Sequence, residues 1–125
     1  MSTRSFICIE DEHEGYEGFR GIYCHYDGYP DHVGRMLKTF HNSITAAEDI
    51  VHGSQIRMFR QDGTIERFDE RAGGPDDESE FYLSMEEALG SGFDYLYVFS
   101  LQDNCWKCFA IPATYKFIEE RKIPT

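Results

Sequence analysis

Long hydrophobic runs are missing from this chain: no apolar stretch approaches the ~20 residues that a membrane-spanning helix needs, so none is expected. The segment Met1 to Ser5 is followed by too short an apolar stretch for a signal peptide, and the expectation is a cytosolic protein. Positive charge is also scarce. Twelve Lys and Arg stand against 23 Asp and Glu, for a net charge of -11, and such a field repels a phosphate backbone unless a local basic patch overcomes it. General nucleic-acid binding is therefore not expected. Cysteine is limited to Cys8, Cys24, Cys105 and Cys108, whose spacing is not that of a disulfide framework. A P-loop, a hydrolase nucleophile elbow and a dinucleotide fingerprint are absent too, since Gly73-Gly74-Pro75 follows no strand of the required kind.

What is present suits one globular domain over residues 1–125, long enough to bury a core and rich in the aromatic residues that sheets use. Phe6 to Glu10 and Phe19 to Tyr26 read as a β-hairpin, separated by the acidic stretch Glu10 to Gly18, which lacks the ligand spacing of an EF-hand and reads as a solvated hairpin tip. After Pro30, the residues Val33, Met36, Leu37 and Phe40 form one apolar stripe of a helix. Thr45-Ala46-Ala47-Glu48 has the form of a capping box opening a second helix that ends near Gly53. Asp62-Gly63 is a favoured two-residue turn and predicts a second hairpin. The stretch from Asp69 to Glu80 carries Gly, Pro and acids with nothing for a core to hold, and is expected to be a mobile acidic loop.

Ser84-Met85-Glu86-Glu87 repeats the capping-box form and opens a short helix. Tyr95 to Phe99 and Cys105 to Ile111 then make the clearest hairpin of the chain, and Tyr115, Phe117 and Ile118 suit a last helical turn or an edge segment. Strands first, helices in the middle and a hairpin late imply an α+β fold: a mostly antiparallel sheet of hairpins packed against two or three short helices.

The chemistry-bearing residues concentrate between Tyr23 and His32. Cys24, His25, Asp27 and His32 are metal-ligand types, but Cys24 and His25 are neighbours on a strand and point to opposite faces, so no metal or other cofactor is expected. Cys105 and Cys108, three apart on a strand, diverge in the same way and read as ordinary strand cysteines. Cys24 beside His25 or His32 is the one local nucleophile and base, too little to define an enzyme. Two binding readings remain. Tyr23, His25, Tyr26, Asp27, Tyr29 and His32, with Arg57 or Arg67 to pair an anion, suit a pocket for a nucleotide or another small molecule. Cross-strand pairing of those arginines with Asp62, Glu66 and Asp69 is their structural alternative. Glu12, Glu14 and Glu17 together with Asp76, Asp77, Glu78 and Glu80 suit an acidic surface for a basic partner, provided that the two segments lie on one side.

The block Tyr23-Cys24-His25-Tyr26-Asp27-Gly28-Tyr29-Pro30, preceded by Ser2-Thr3-Arg4-Ser5 and a strand and followed late by Tyr95 to Phe109, resembles a family of small bacteriophage and prophage proteins. Tyr26 stands where that pattern usually has Trp, and Cys105-x-x-Cys108 is a further departure. The resemblance implies a phage gene product acting in a bacterial cytoplasm and carries no catalytic residue with it. Together these features lead to an acidic interaction protein that binds and modulates a host protein, such as a defence or nucleic-acid enzyme, with the small-molecule module as the alternative.

Overall fold

Phe6-Ile7-Cys8-Ile9 and Tyr95 to Phe99 are apolar at nearly every position, so strands made from them need cover on both faces. The computed structural model, which describes residues 3–69, 77–111 and 117–124, provides it. Strand β1 (Ser5–His13) pairs antiparallel with β2 (Tyr16–Cys24) and parallel with β6 (Tyr95–Ser100). Beyond β6 lie β7 (Cys105–Ala110) and the short edge strand β8 (Glu119–Arg121). On the other side, β2 shares its outer edge between β5 (Glu80–Tyr82) and β3 (Ile56–Phe59), the latter paired with β4 (Ile65–Arg67).

The fold is α+β, but the sheet is mixed and not mostly a set of antiparallel hairpins. Among the described residues five strand pairings are antiparallel, while β1 with β6 and β2 with β3 are parallel. Non-local pairing of this kind leaves no turn signature between the partners, which is why hairpin signals alone do not disclose it.

One face of the sheet is covered by a π-helical turn (Pro30–Gly34) running into α1 (Arg35–Phe40), and by α2 (Ile44–Val51). Val33, Leu37, Ile50 and Val51 bury there against Ile7, Ile22, Tyr97, Phe99 and Trp106. The opposite face takes α3 (Met85–Gly90), whose Ala88 and Leu89 close over Phe6, Cys8, Leu96 and Val98. Alternate residues of β1 and β6 thus enter two separate cores, as the two-residue period of a strand requires.

Several local expectations change. The stretch Glu10 to Gly18 is strand, not an open tip: β1 and β2 continue to a two-residue turn at Glu14 and Gly15, both at positive φ (51° and 85°), as a tight hairpin of type I′ geometry demands. The cap of α2 is Ser43, whose hydroxyl accepts from Ala46 N–H at 3.1 Å, so the helix begins earlier than the Thr45 box implies. The Ser84 cap holds, with Glu87 N–H donating to its hydroxyl at 3.1 Å and the Glu87 carboxylate accepting from Leu83 N–H.

Residues 70–76, the centre of the expected mobile loop, lie outside the described residues, as does Tyr115. The rest of that loop is tied down. Asp77 accepts from Gly53 N–H, Ser79 N–H and His52, and Glu78 accepts from Gln55 N–H, while Glu80 belongs to β5. Burial alone would raise the Asp77 carboxyl, but those hydrogen bonds outweigh it and hold the pKa at about 2. Its contribution to stability is present above the ordinary carboxylate range and disappears as pH falls toward 2. Asp77→Ala is expected to cost about 1 kcal/mol near neutral pH, with the difference from wild type closing below about pH 4; an equal gap at both ends of an acid titration would contradict the assignment.

Cys8, Cys24 and Cys108 are buried and Cys105 is half-buried. Burial pushes the Cys24 and Cys108 thiols up to about 12 and raises Cys8 as well. A raised thiol keeps its stabilising, protonated form below the unfolded value of 9 and loses that contribution as pH climbs toward 12. Native thiol titration near neutral pH should therefore find one fast cysteine, and denaturation should release all four. Two or more fast thiols would show that the strand assignments around Cys24 or Cys108 are wrong.

Candidate functional site

The end of β2 turns a corner that brings Tyr23 to His32 against the start of the chain. The backbone leaves the strand with Asp27 at a φ of 54°, and Gly28 then presses onto β1: its N–H donates to Thr3 O at 2.9 Å. A Cβ on Gly28 would stand 2.8 Å from both Ser5 and the Thr3 carbonyl, so only glycine fits. The buried Tyr97 hydroxyl donates to Gly28 O at 2.7 Å and fastens the corner to β6. Burial drives that phenol's pKa far above its ordinary value, so it stays a protonated donor.

Around this corner the predicted pocket residues divide into separate groups. Tyr23 and His25 share a face of the sheet and are joined by a hydrogen bond between the phenol and Nδ1. Burial raises the Tyr23 phenol, which favours the protonated partner in that bond. The His25 ring meets Tyr26 edge-on at 4.4 Å and Phe68 at 5.7 Å, and Arg57 lies 6.0 Å from the Tyr26 ring. Tyr26 and Phe68 are 38% and 52% exposed, so this group forms an aromatic patch on the surface.

His32 turns elsewhere. Its Nε2 lies 2.7 Å from Phe59 O, and the Tyr29 ring stands 6.4 Å from the imidazole. Arg67 lies with α2 and does not join Arg57: its guanidinium donates to Ser54 O, Asp49 O and Ile50 O, closing the C-terminal end of that helix. The structure therefore brings Tyr23, His25, Tyr26 and Arg57 together with Phe68, and separates Tyr29, His32 and Arg67 from them. No group of three or more His, Cys, Asp or Glu among the described residues is arranged to hold a metal ion.

A second constellation arises at the far end of the β1–β2 hairpin. The register places Glu12 directly opposite Glu17 and Glu10 opposite Phe19, all on the sheet face that α3 covers nearer the middle of the strands. With Asp11, Gly18, Phe19, Leu83 and Leu101 these carboxylates line an open groove of about 500 Å³. Leu83 and Leu101, 56% and 53% exposed, put two apolar side chains at the mouth of this groove. Among the described residues no Lys or Arg lines it. Among the described residues, none of Glu10, Glu12 and Glu17 has an ion-pair partner.

The other face of the same hairpin is neutralised. Asp11 pairs with Arg20 at 2.9 Å, and the Arg20 guanidinium lies 5.4 Å from the Phe81 ring. Partial burial opposes ionisation of Asp11, but the Glu12 N–H and Arg20 prevail and lower its pKa, with His52 adding to them. His52 is also the partner of Asp77, so the hairpin stem and the Asp77 turn approach one another on that side. Glu14 sits at the turn itself; Asp76 lies outside the described residues.

The groove walls Leu83 and Leu101 carry no periodic signal in the sequence, since each sits in a connection and not on an apolar stripe. Glu12 and Glu17 become opposed only once the turn is known to have two residues. The chain matches no protein-family model, and neither a curated protein nor a solved structure is found to be similar to it.

Two substitutions test the corner. Tyr97→Phe removes the bond to Gly28 O and should cost about 1 kcal/mol, and Gly28→Ala should cost about 2 kcal/mol or more because the neighbouring strand must shift. Gly90→Ala, where a Cβ meets open space, serves as the control and should be close to neutral in the same denaturation series.

Proposed function

We propose that the chain is a small acidic interaction protein that binds a basic surface of another protein through the groove at the end of its β1–β2 hairpin. The observation that carries this reading is the unneutralised pair Glu12 and Glu17 beside Glu10, set around two exposed leucines. Like charges directly opposite on paired strands are destabilising, commonly by a few tenths of a kcal/mol. A lysine at either position would relieve that repulsion, so stability does not account for two glutamates there.

A Lys or Arg side chain of the partner satisfies the carboxylates, and an apolar neighbour covers Leu83 and Leu101. Neither of the two cavities described is lined by a residue of the aromatic corner, so the groove supports partner binding better than that patch supports a small-molecule pocket. On the resemblance read from Tyr23 to Pro30, which no comparison supports, the proposed partner is a bacterial host protein. Enzymes that handle nucleic acid present the basic grooves such an acidic surface fits, and are the class to examine first. Asp77 and Glu78 lie toward the opposite, Asp11 face of the hairpin, where Asp77 pairs with His52 and both accept backbone hydrogen bonds, so the acidic surface proposed is that of the hairpin groove alone.

Capture from bacterial lysate with wild type, Glu17→Lys and Tyr26→Ala tests the proposal. Glu17→Lys should lose the captured protein at moderate salt while its melting temperature stays level or rises, because Glu12 then faces a cation across the ladder and a repulsion becomes an attraction. A captured protein that ignores Glu17→Lys and disappears with Tyr26→Ala would transfer the function to the aromatic corner.

A further inference from the structure

In a chain of net charge -11, one small region runs against the overall sign. At the β8 edge of the sheet, where β8 stops pairing with β7 at Cys108, the outer edge of β7 has no strand partner among the described residues from Cys105 to Lys107. A cavity of about 220 Å³ opens there between β7, the residues after β8 and α1. Among the described residues Lys38, Lys107, Arg121 and Lys122 line it, against one carboxylate, that of Glu120. The region is two strands away from β1 and its acidic groove.

Among the described residues the Arg121 guanidinium has no carboxylate within ion-pair distance, and its Nε is buried without a hydrogen-bond partner. Lys38 Nζ reaches Ile123 O at a long 3.4 Å, and Lys107 is paired with Asp103. Trp106 forms part of the wall, and its indole N–H is already satisfied by His41 O at 2.9 Å. The donors left for a ligand are therefore those of Arg121, Lys122 and part of Lys38.

We infer that this cavity is an oxyanion site, with Arg121 as its principal donor, for a phosphate group. The volume lies below the ~300 Å³ at which pockets begin to enclose a whole drug-sized ligand, so the site takes the anionic group itself and not an entire nucleotide. A guanidinium with two or more ammonium groups beside it suits a doubly charged, tetrahedral oxyanion better than a single carboxylate. The assignment is independent of the partner-binding groove, and either can fail without the other.

Titration of the isotopically labelled chain with inorganic phosphate, against chloride at matched ionic strength, tests it by amide chemical shifts. Saturable shifts are expected at Cys105 to Lys107 and Arg121 to Ile123. Arg121→Gln should weaken the affinity at least about tenfold, the loss of one charge-assisted hydrogen bond. Lys122→Gln, at an exposed position that the fold does not require, should weaken it less, and Arg57→Gln on the opposite flank should leave it unchanged. Acetate at the same ionic strength should respond more weakly, and a phosphate monoester should match inorganic phosphate if the site reads the headgroup alone. Absence of saturation, shifts that persist in Arg121→Gln, or an acetate response equal to that of phosphate would overturn the assignment.

Discussion

The parallel pairing of Ser5–Ile9 with Tyr95–Phe99 is the contact on which the rest of the molecule depends. It joins segments about ninety residues apart, and parallel neighbours cannot be linked by a tight turn. Everything between them must be carried across the sheet: the corner at Gly28, the helices on one face and α3 on the other. Because β1 and β6 are covered on both sides, a single strand pair supplies floor to both cores. Tyr97 adds the link that sets the corner, since its hydroxyl is the polar tip of a buried side chain that must find a partner, and Gly28 O provides it.

The same pairing lets the β1–β2 hairpin extend past the core as a two-stranded arm. Beyond Ile9 on β1 the side chains are polar, and the arm is held by its turn, its ladder and the Asp11–Arg20 pair. That leaves the other face of the arm free to carry charge. Three glutamates with no ion-pair partner among the described residues, next to two exposed leucines, form a surface whose composition the fold does not explain. Local disagreement with good packing and pairing is where a functional demand is most readily sought.

Much of the local structure was legible from residue pattern. Asp62-Gly63 announces the β3–β4 hairpin, and Tyr95 to Phe99 with Cys105 to Ile111 announces β6–β7, because in each case the turn lies between its own strands. Ser84 and Glu87 announce α3 in the same way. The parallel pairings were illegible, since nothing near Ile7 refers to Tyr97. Five carboxylates between Glu10 and Glu17 disguised strand as loop, although Glu14-Gly15 held the turn that makes it strand. Ser43 and Thr45 both satisfy helix-start rules, and only the extended backbone at Ser43 decides between them. At the site, Tyr23, His25 and Tyr26 could be placed together because they share one strand end. His32 and Arg67 could not, as their partners are the Phe59 carbonyl and the end of α2, which sequence proximity does not reveal.

The most direct measurement of the central claim is an amide chemical-shift titration of the labelled chain with a short peptide bearing Arg and Lys beside Leu. Binding through the hairpin groove predicts perturbations at Glu10, Glu12, Glu17, Phe19, Leu83 and Leu101 that weaken as salt is raised. Perturbations centred instead on Tyr23, His25, Tyr26 and Phe68, or none at peptide concentrations well above those of a weak complex, would contradict it.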